Sequence, residues 1–304
     1  LFGKSEDLPS LIKLFEYHQL KMDDILTYGT LKNYKTTKKY ILEFLKLEYK
    51  TSDVYLKQIN YKFLVDFDAF LRKKPGLTNN GVMKHMERFK KLMNFAHSLE
   101  WIDKNPAKFF KLSYHKVDVN YLDKGELAKI ESVKLEKSYH VIVRDIFVFA
   151  CYTGLAYADV YNLTSDNIQR GIDGQNWIYT RRQKTKSKVR IPLLNKPLAL
   201  LQHYKNHPKC KEDQVLPIFS NQKTNKYLKE VAKLARIKKH ISFHTARHTF
   251  ATTVTLINGV PIESISKLLG HTKLSTTQIY ARIIDNKLAD DFKQLRNKLN
   301  DKTA

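Results

Sequence analysis

A chain of 304 residues is longer than one hydrophobic core usually serves, so two domains are expected. With 42% hydrophobic and 12% aromatic residues it can build folded cores, which excludes a disordered basic tail. The formal net charge of +24 makes a polyanion the expected partner, nucleic acid first, against the alternative of a basic protein whose charge only keeps it dissolved.

Helical periodicity runs through residues 1 to 112, with segments at Leu8–Leu20, Leu31–Leu47, Asn60–Leu71 and Asn79–Leu99. In the second segment Leu31, Tyr34, Ile41, Phe44 and Leu45 make the inner face, and Thr30 can cap it. In the fourth, Met83, Met86, Phe89, Leu92, Met93 and Ala96 face the core, while Lys84, Arg88 and Lys91 line up on another side. That basic row is read as a contact for DNA phosphates; a merely solvated face is the alternative. Pro106 disfavours helix at Asn105, so the first domain closes near there. The stretch Lys111–Asn120 is polar and aperiodic, and residues 113–120 are taken as a linker that would let two basic domains close around a duplex.

A second domain, 121–304, opens with Asp123 as a helix cap and a long apolar helix from Tyr139 to Tyr152, stopped at Thr153 and Gly154. A short helix follows at Ala156–Leu163. Asn176–Thr180 and Val189–Leu193 read as two strands around a polar turn at Lys186–Lys188. Alternation from Tyr179 onward puts Arg182, Lys184 and Lys186 on one side. Helices resume at Pro197–Asn206 and Asn221–Ile237. Cys151 and Cys210 lack metal-ligand spacing and are expected to be reduced thiols of an intracellular protein. No apolar run approaches the roughly 20 residues of a membrane-crossing helix, and no signal-peptide pattern opens the chain. The chain begins at Leu1 rather than Met, which suggests that a segment precedes it.

The stretch from Ser242 to Tyr280 carries the chemistry. Phe243, Ala246, Phe250, Val254 and Ile257 recur at helical spacing between Ser242 as N-cap and Gly259 as stop. His244 and Arg247 share a face of that helix, with Arg247 at the rim of the apolar stripe. There, partly buried, a guanidinium can grip an anion. Pro261 fits the first position of the next helix, with Ile262, Ile265, Leu268 and Leu269 inward, Gly270 as stop and His271 directly after. Ser275 and Gln278 form a capping-box pattern, Leu274 and Ile279 a staple, and Tyr280 falls on the early turn of that helix. His248 reads as a packed helix histidine.

Through HTARHTFAT, LLGH and the tyrosine nine positions after that histidine, the sequence resembles the tyrosine recombinases, the phage and transposon integrases. The resemblance implies a mainly helical chain: an N-terminal helical, SAM-like core-binding bundle, then an α+β catalytic domain with a small antiparallel sheet, the DNA breaking-rejoining fold. It implies Tyr280 as nucleophile, with Arg247, His244 and His271 on the phosphate. Lys184, or Lys186 or another hairpin lysine in its place, would protonate the 5′ leaving oxygen. Lys186 and Lys188 of the hairpin are further expected DNA contacts. The family usually has an arginine directly after TGL; this chain has Ala156, while Asp159 matches the supporting acidic position. Either another arginine replaces it, Arg182 first, Arg144 and Arg190 as alternatives, or the chain binds DNA and cuts it poorly. Integrases of some conjugative transposons, similar in the TGLAYADV run, lack that arginine too.

By the same resemblance the chain would cut and rejoin strands through a 3′-phosphotyrosyl link and a Holliday junction, integrating or excising a mobile element without metal, ATP or other cofactor. Double-stranded DNA with recombination core sites, a homotetramer, and accessory DNA-bending or excision factors are the implied partners, with no membrane, in the cytoplasm of a bacterial cell. A type IB topoisomerase-like enzyme shares this chemistry and is the remaining alternative. The amphipathic tail Asn286–Asn300 would pack on its own domain or dock on a neighbouring protomer.

Overall fold

The computed structural model describes residues 8–117, 119–211, 213–281 and 292. The expected tail helix at Asn286–Asn300 lies outside the described residues, apart from Phe292. The chain divides into two compact units, Leu1–Val117 and Asp118–Ala304.

The first unit is all helix: α1 (Leu11–Met22), α2 (Tyr28–Phe44), α3 (Tyr61–Arg72) and α4 (Asn79–Ser98). Its core gathers the predicted inner faces of α2 and α4 around Phe63, Phe67 and Phe70 of α3. Helix α2 begins earlier than its apolar pattern suggests. Thr27, not Thr30, is the N-cap, its Oγ1 accepting from the Thr30 N–H, because a cap needs a hydroxyl in extended backbone just ahead of the helix. The expected linker is not free at its start. Asn79 and Asn80 of α4 donate side-chain amide hydrogens to the Ser113 and His115 carbonyls at 2.9 and 2.8 Å, and Tyr114 Oη reaches Glu87 at 2.7 Å.

The second unit is built around α6 (Ser138–Thr153), which is buried nearly all round, as a helix apolar on every side must be. Before it comes α5 (Lys124–Ser132), closed by a capping box between Asp123 and Glu126. After it come α7 (Tyr157–Tyr161) and an antiparallel sheet in the order β1 (Ile168–Arg170), β2 (Asn176–Arg181), β3 (Lys188–Pro192). The first strand is additional to the two expected, since three residues are too short for alternation to register. Ile178 pairs with both Ile168 and Ile191, which puts the apolar side of the sheet on the core.

Next are α8 (Asn195–His203), α9 (Asn221–Leu234) and α10 (Phe243–Thr249). Helices α5, α8, α9 and α10 all pack on α6. Helix α10 runs on into a widened π-helical stretch, Phe250–Leu256, and α11 (Ile262–Leu269) and the short α12 (Gln278–Ala281) follow. None of the described helices is long and apolar enough to cross a membrane.

Candidate active site

Arg247 projects from α10 into the interior and is 4% exposed. Its Nη1 donates to the Gly154 carbonyl at 2.8 Å and its Nη2 to the Leu269 carbonyl at 2.6 Å. Those oxygens belong to the C-terminal ends of α6 and α11, where the helix dipoles are negative, so one cation closes two helices. Burial, then the charge of Arg182, brings its pKa down to about 10, and it stays protonated at neutral pH. Two of its five N–H donors are spent on this anchoring, leaving the rest of the fork for an anion.

The second buried cation is Arg182. Strand β2 stops at Arg181, and the chain turns through 182–187, with the Lys186 N–H donating to the Arg182 carbonyl at 2.8 Å and Lys186 at φ 56°. The expected strand face of Arg182, Lys184 and Lys186 therefore does not form. Arg182 turns inward at 8% exposure, whereas Lys184, Lys186 and Lys188 are exposed around the hairpin. Asp159 holds the inward arginine, with Oδ2 lying 2.8 Å from Nη1. The same carboxylate accepts from the Gln183 N–H at 2.9 Å and the Ala156 N–H at 3.2 Å. The approach to Arg182 is close but not aligned as a hydrogen bond, so among the described residues Nη1 is a buried donor without an acceptor. Of the alternatives, Arg144 is committed to Asp145 and the Val133 carbonyl, and Arg190 lies over the Tyr179 ring.

Gly270 couples the hairpin to α11. Its φ is 64°, and a Cβ there would stand 2.6 Å from Val189 Cγ2 and 2.9 Å from Arg182 Cγ. Ser187 Oγ donates to its carbonyl at 2.8 Å. His271 follows at once, its Nδ1 at 2.8 Å from Thr277 Oγ1. Burial, then the charges of Arg247 and Arg182, lowers its pKa to about 4, so it is neutral at neutral pH. His244 is open to solvent on one side, yet the packing around its ring lowers its pKa as well, helped by Arg247, Arg182 and Lys184. Lys184 is thus felt at the same cluster although it sits out on the turn.

Tyr280 is 1% exposed among Phe250, Leu256, Ile265 and Leu269. The expected capping box on Ser275 does not form: Leu274–Thr276 is a short 3-10 turn, and the Tyr280 N–H bonds the Thr277 carbonyl at 3.0 Å. The predicted staple residues Leu274 and Ile279 are exposed, because a single turn is too short to bring them together. The Tyr280 hydroxyl meets His248 Nδ1 at 2.9 Å. His248 is half-buried in α10, packed as expected between the His244 and Tyr280 rings, and it also makes this bond, to a partner so far along the chain that local spacing does not reveal it.

In the first unit, Lys84 and Lys91 are exposed on α4, but both pair with Glu87, at 2.8 and 3.1 Å. Arg88 is half-buried and leans toward Thr37. The basic row is partly neutralised from within. No group of three histidine, cysteine or acidic side chains among the described residues could hold a metal ion.

Residues 10–112 match the phage integrase SAM-like domain, and residues 120–287 match the phage integrase family. A tyrosine recombinase of Thermosipho africanus (strain TCF52B) is 25% identical over 282 residues, which covers 88% of this chain and 93% of that protein. A lambda integrase tetramer bound to a Holliday junction shares the fold at TM-score 0.69 and 16% identity, over 87% of this chain and 78% of that one. The Tn1549 transposon integrase in complex with a circular intermediate DNA does so at TM-score 0.68 and 18% identity, over 88% and 93%. The chain belongs to the phage integrase family, the tyrosine recombinases. Its class of activity is therefore site-specific recombination of DNA.

Proposed function

We propose that this chain cuts and rejoins duplex DNA at recombination core sites, with Tyr280 as nucleophile, to integrate or excise a mobile element. The observation that carries the reading is the gathering of Arg247, Arg182, His244, His271 and Tyr280 around the ends of α6, α10 and α11. Attack by the Tyr280 oxygen on the scissile phosphorus forms a 3′-phosphotyrosyl bond and expels the 5′ oxygen, which takes a proton from Lys184. The phosphoester is conserved, so no ATP is consumed. Arg247 and Arg182 clamp the nonbridging oxygens, with Arg182 standing in for the arginine missing at Ala156 and Asp159 holding it in place. His244 and the neutral His271 hydrogen-bond the phosphate.

Residues 1–112 serve as the core-binding domain, 113–120 as linker and 121–304 as catalytic domain. Lys84, Arg88 and Lys91, with Lys186 and Lys188 of the hairpin, contact the DNA backbone. Four copies act on two duplexes through a Holliday junction, aided by DNA-bending or excision factors, in the cytoplasm of a bacterial cell. The lambda integrase tetramer on a Holliday junction and the Tn1549 integrase with a circular intermediate DNA support this extension.

One observation favours a second reading, a DNA-binding relative that cuts poorly: the position after TGL is Ala156. A covalent-trapping assay separates them. The probe is a nicked duplex selected from a randomised pool by binding to the Tyr280→Phe variant. A shifted band on a denaturing gel that Tyr280→Phe lacks supports cleavage; tight binding without a band supports the second reading.

A further inference from the structure

The Tyr280 hydroxyl and the His248 ring form a built pair. Oη lies 2.9 Å from Nδ1, and the two rings are 5.7 Å apart at 56°. His248 is fixed from behind by the ring of His244, edge-on at 4.6 Å, and by its place in α10, where its carbonyl accepts from Thr252 Oγ1 at 2.8 Å. Burial, then the charges of His244, Arg247 and His271, holds the imidazole at about 4, while burial pushes the phenol up against the opposing charge of Arg247. At neutral pH the ring is therefore neutral and the phenol protonated. Nδ1 is the one hydrogen-bond partner that Oη has among the described residues, so placing the phenolic proton in this bond directs it from Oη–H to Nδ1 and assigns the ring proton to Nε2.

A phenol must lose this proton to attack phosphorus. Arg247 cannot take it, and His271 Nδ1 is occupied by Thr277. We propose that His248 is a catalytic residue that positions the Tyr280 hydroxyl and accepts its proton as the oxygen attacks. This rests on the reading of Tyr280 as nucleophile. In the forward step the Oη–P bond forms, the P–O5′ bond breaks, and the phenolic proton moves to Nδ1, giving an imidazolium. The expelled 5′ oxygen is protonated by Lys184. In rejoining, the 5′ hydroxyl attacks and gives its proton back to the neutral Lys184 amine, the Oη–P bond breaks, and the imidazolium returns its proton to the phenolate. The scissile phosphate itself supplies the needed basicity: its negative charge enters among Arg247, Arg182, His244 and His271 and raises the affinity of His248 for a proton.

The test measures single-turnover formation of the covalent adduct on the selected nicked duplex, with either oxygen or sulfur at the bridging 5′ position. A thiolate leaves without an acid, so the sulfur substrate isolates activation of the nucleophile. His248→Ala is expected to slow adduct formation roughly 10²-fold or more on both substrates, whereas Lys184→Ala is rescued by sulfur. His248→Asn, which accepts the hydrogen bond but not the proton, stays slow. Placing 3,5-difluorotyrosine at position 280, a more acidic phenol, restores His248→Ala by roughly tenfold or more, which a purely structural role would not allow. Full activity in His248→Asn, or no rescue by the fluorinated tyrosine, overturns the proposal. If Tyr280→Phe still forms the adduct, the nucleophile reading falls; if it does not and His248→Ala cuts normally, only the role of His248 falls.

Discussion

Arg182 and Arg247 are both buried cations, but they are held by opposite means, and that decides how each responds to substitution. Arg247 is anchored by two helix-end carbonyls and Arg182 by a carboxylate whose side chain is 2% exposed. Arg182→Ala would strand that carboxylate, so a cost on the order of 3–5 kcal/mol in stability accompanies any catalytic loss. Arg182→Lys keeps the charge pair and removes the planar fork. We expect Arg182→Lys to unfold near the wild-type midpoint in urea while forming the phosphotyrosyl adduct at least tenfold more slowly, and Arg182→Ala to lose on the order of 10² to 10³ in rate. Full cleavage by Arg182→Ala would remove it from the site. That His244 and Arg247 share α10 is legible from helical spacing alone, whereas His271 and Tyr280 stand out only through the resemblance carried by HTARHTFAT and LLGH. The burial of Arg182 was not legible, since strand alternation says nothing about where a strand ends. The Tyr280 partner His248 was hidden for a different reason: the two lie 32 positions apart, and only the packing of α12 on α10 joins them.

At the scale of elements, the site depends on the crowded seam between the hairpin and the end of α11. Gly259 and Gly270 both have positive φ, at 87° and 64°, and look alike in sequence as helix stops. Their surroundings differ. Gly259 has open space where a Cβ would go, whereas at Gly270 that space is filled by Val189, Arg182 and Ser187. Gly259→Ala should therefore cost only its backbone strain, on the order of 1 kcal/mol. Gly270→Ala adds the clash and should cost roughly 2–4 kcal/mol. Because Arg182 Cγ is one of the atoms that such a Cβ would meet, beside Val189 and Ser187 of the same hairpin, Gly270→Ala should also depress adduct formation even at a temperature where it is fully folded. Denaturant midpoints beside single-turnover cleavage check both halves. Equal midpoints for the two variants would show that the seam yields without cost. Helix positions were legible here to within a turn, from period and caps, but the crowding that distinguishes the two glycines comes from residues of the distant hairpin.

At the scale of the whole molecule, the excess of positive charge sets affinity for DNA, and part of it is held back by internal pairing. Glu87 binds Lys84, Lys91 and Tyr114, and these partners hold its carboxyl down at about 2. If α4 faces DNA, Glu87→Gln should raise affinity for a non-specific duplex severalfold and steepen the log-log salt slope by roughly 0.9 for each further phosphate that the freed lysines neutralise; an unchanged slope would move the DNA face off α4. The buried and half-buried histidines impose a second global property. His85 in the first unit and His248 and His271 in the second are each lowered to about 4 from the usual 6.5, chiefly by burial. Between those values the unfolded chain carries protons on these rings and the folded chain does not, so unfolding takes up protons and stability falls as pH drops from about 6.5 toward 4. Glu87 acts in a separate window, its contribution complete above 4.5 and lost as pH falls toward 2. Urea midpoints should thus decline between about pH 6.5 and 4.5 from the histidines before the carboxylate contributes. His85→Asn, which can still meet Thr37 Oγ1, should flatten that decline for the first unit and leave the second unchanged. A midpoint that does not move across this range would mean that these rings take up protons in the fold as they do in the unfolded chain, so that burial does not lower them.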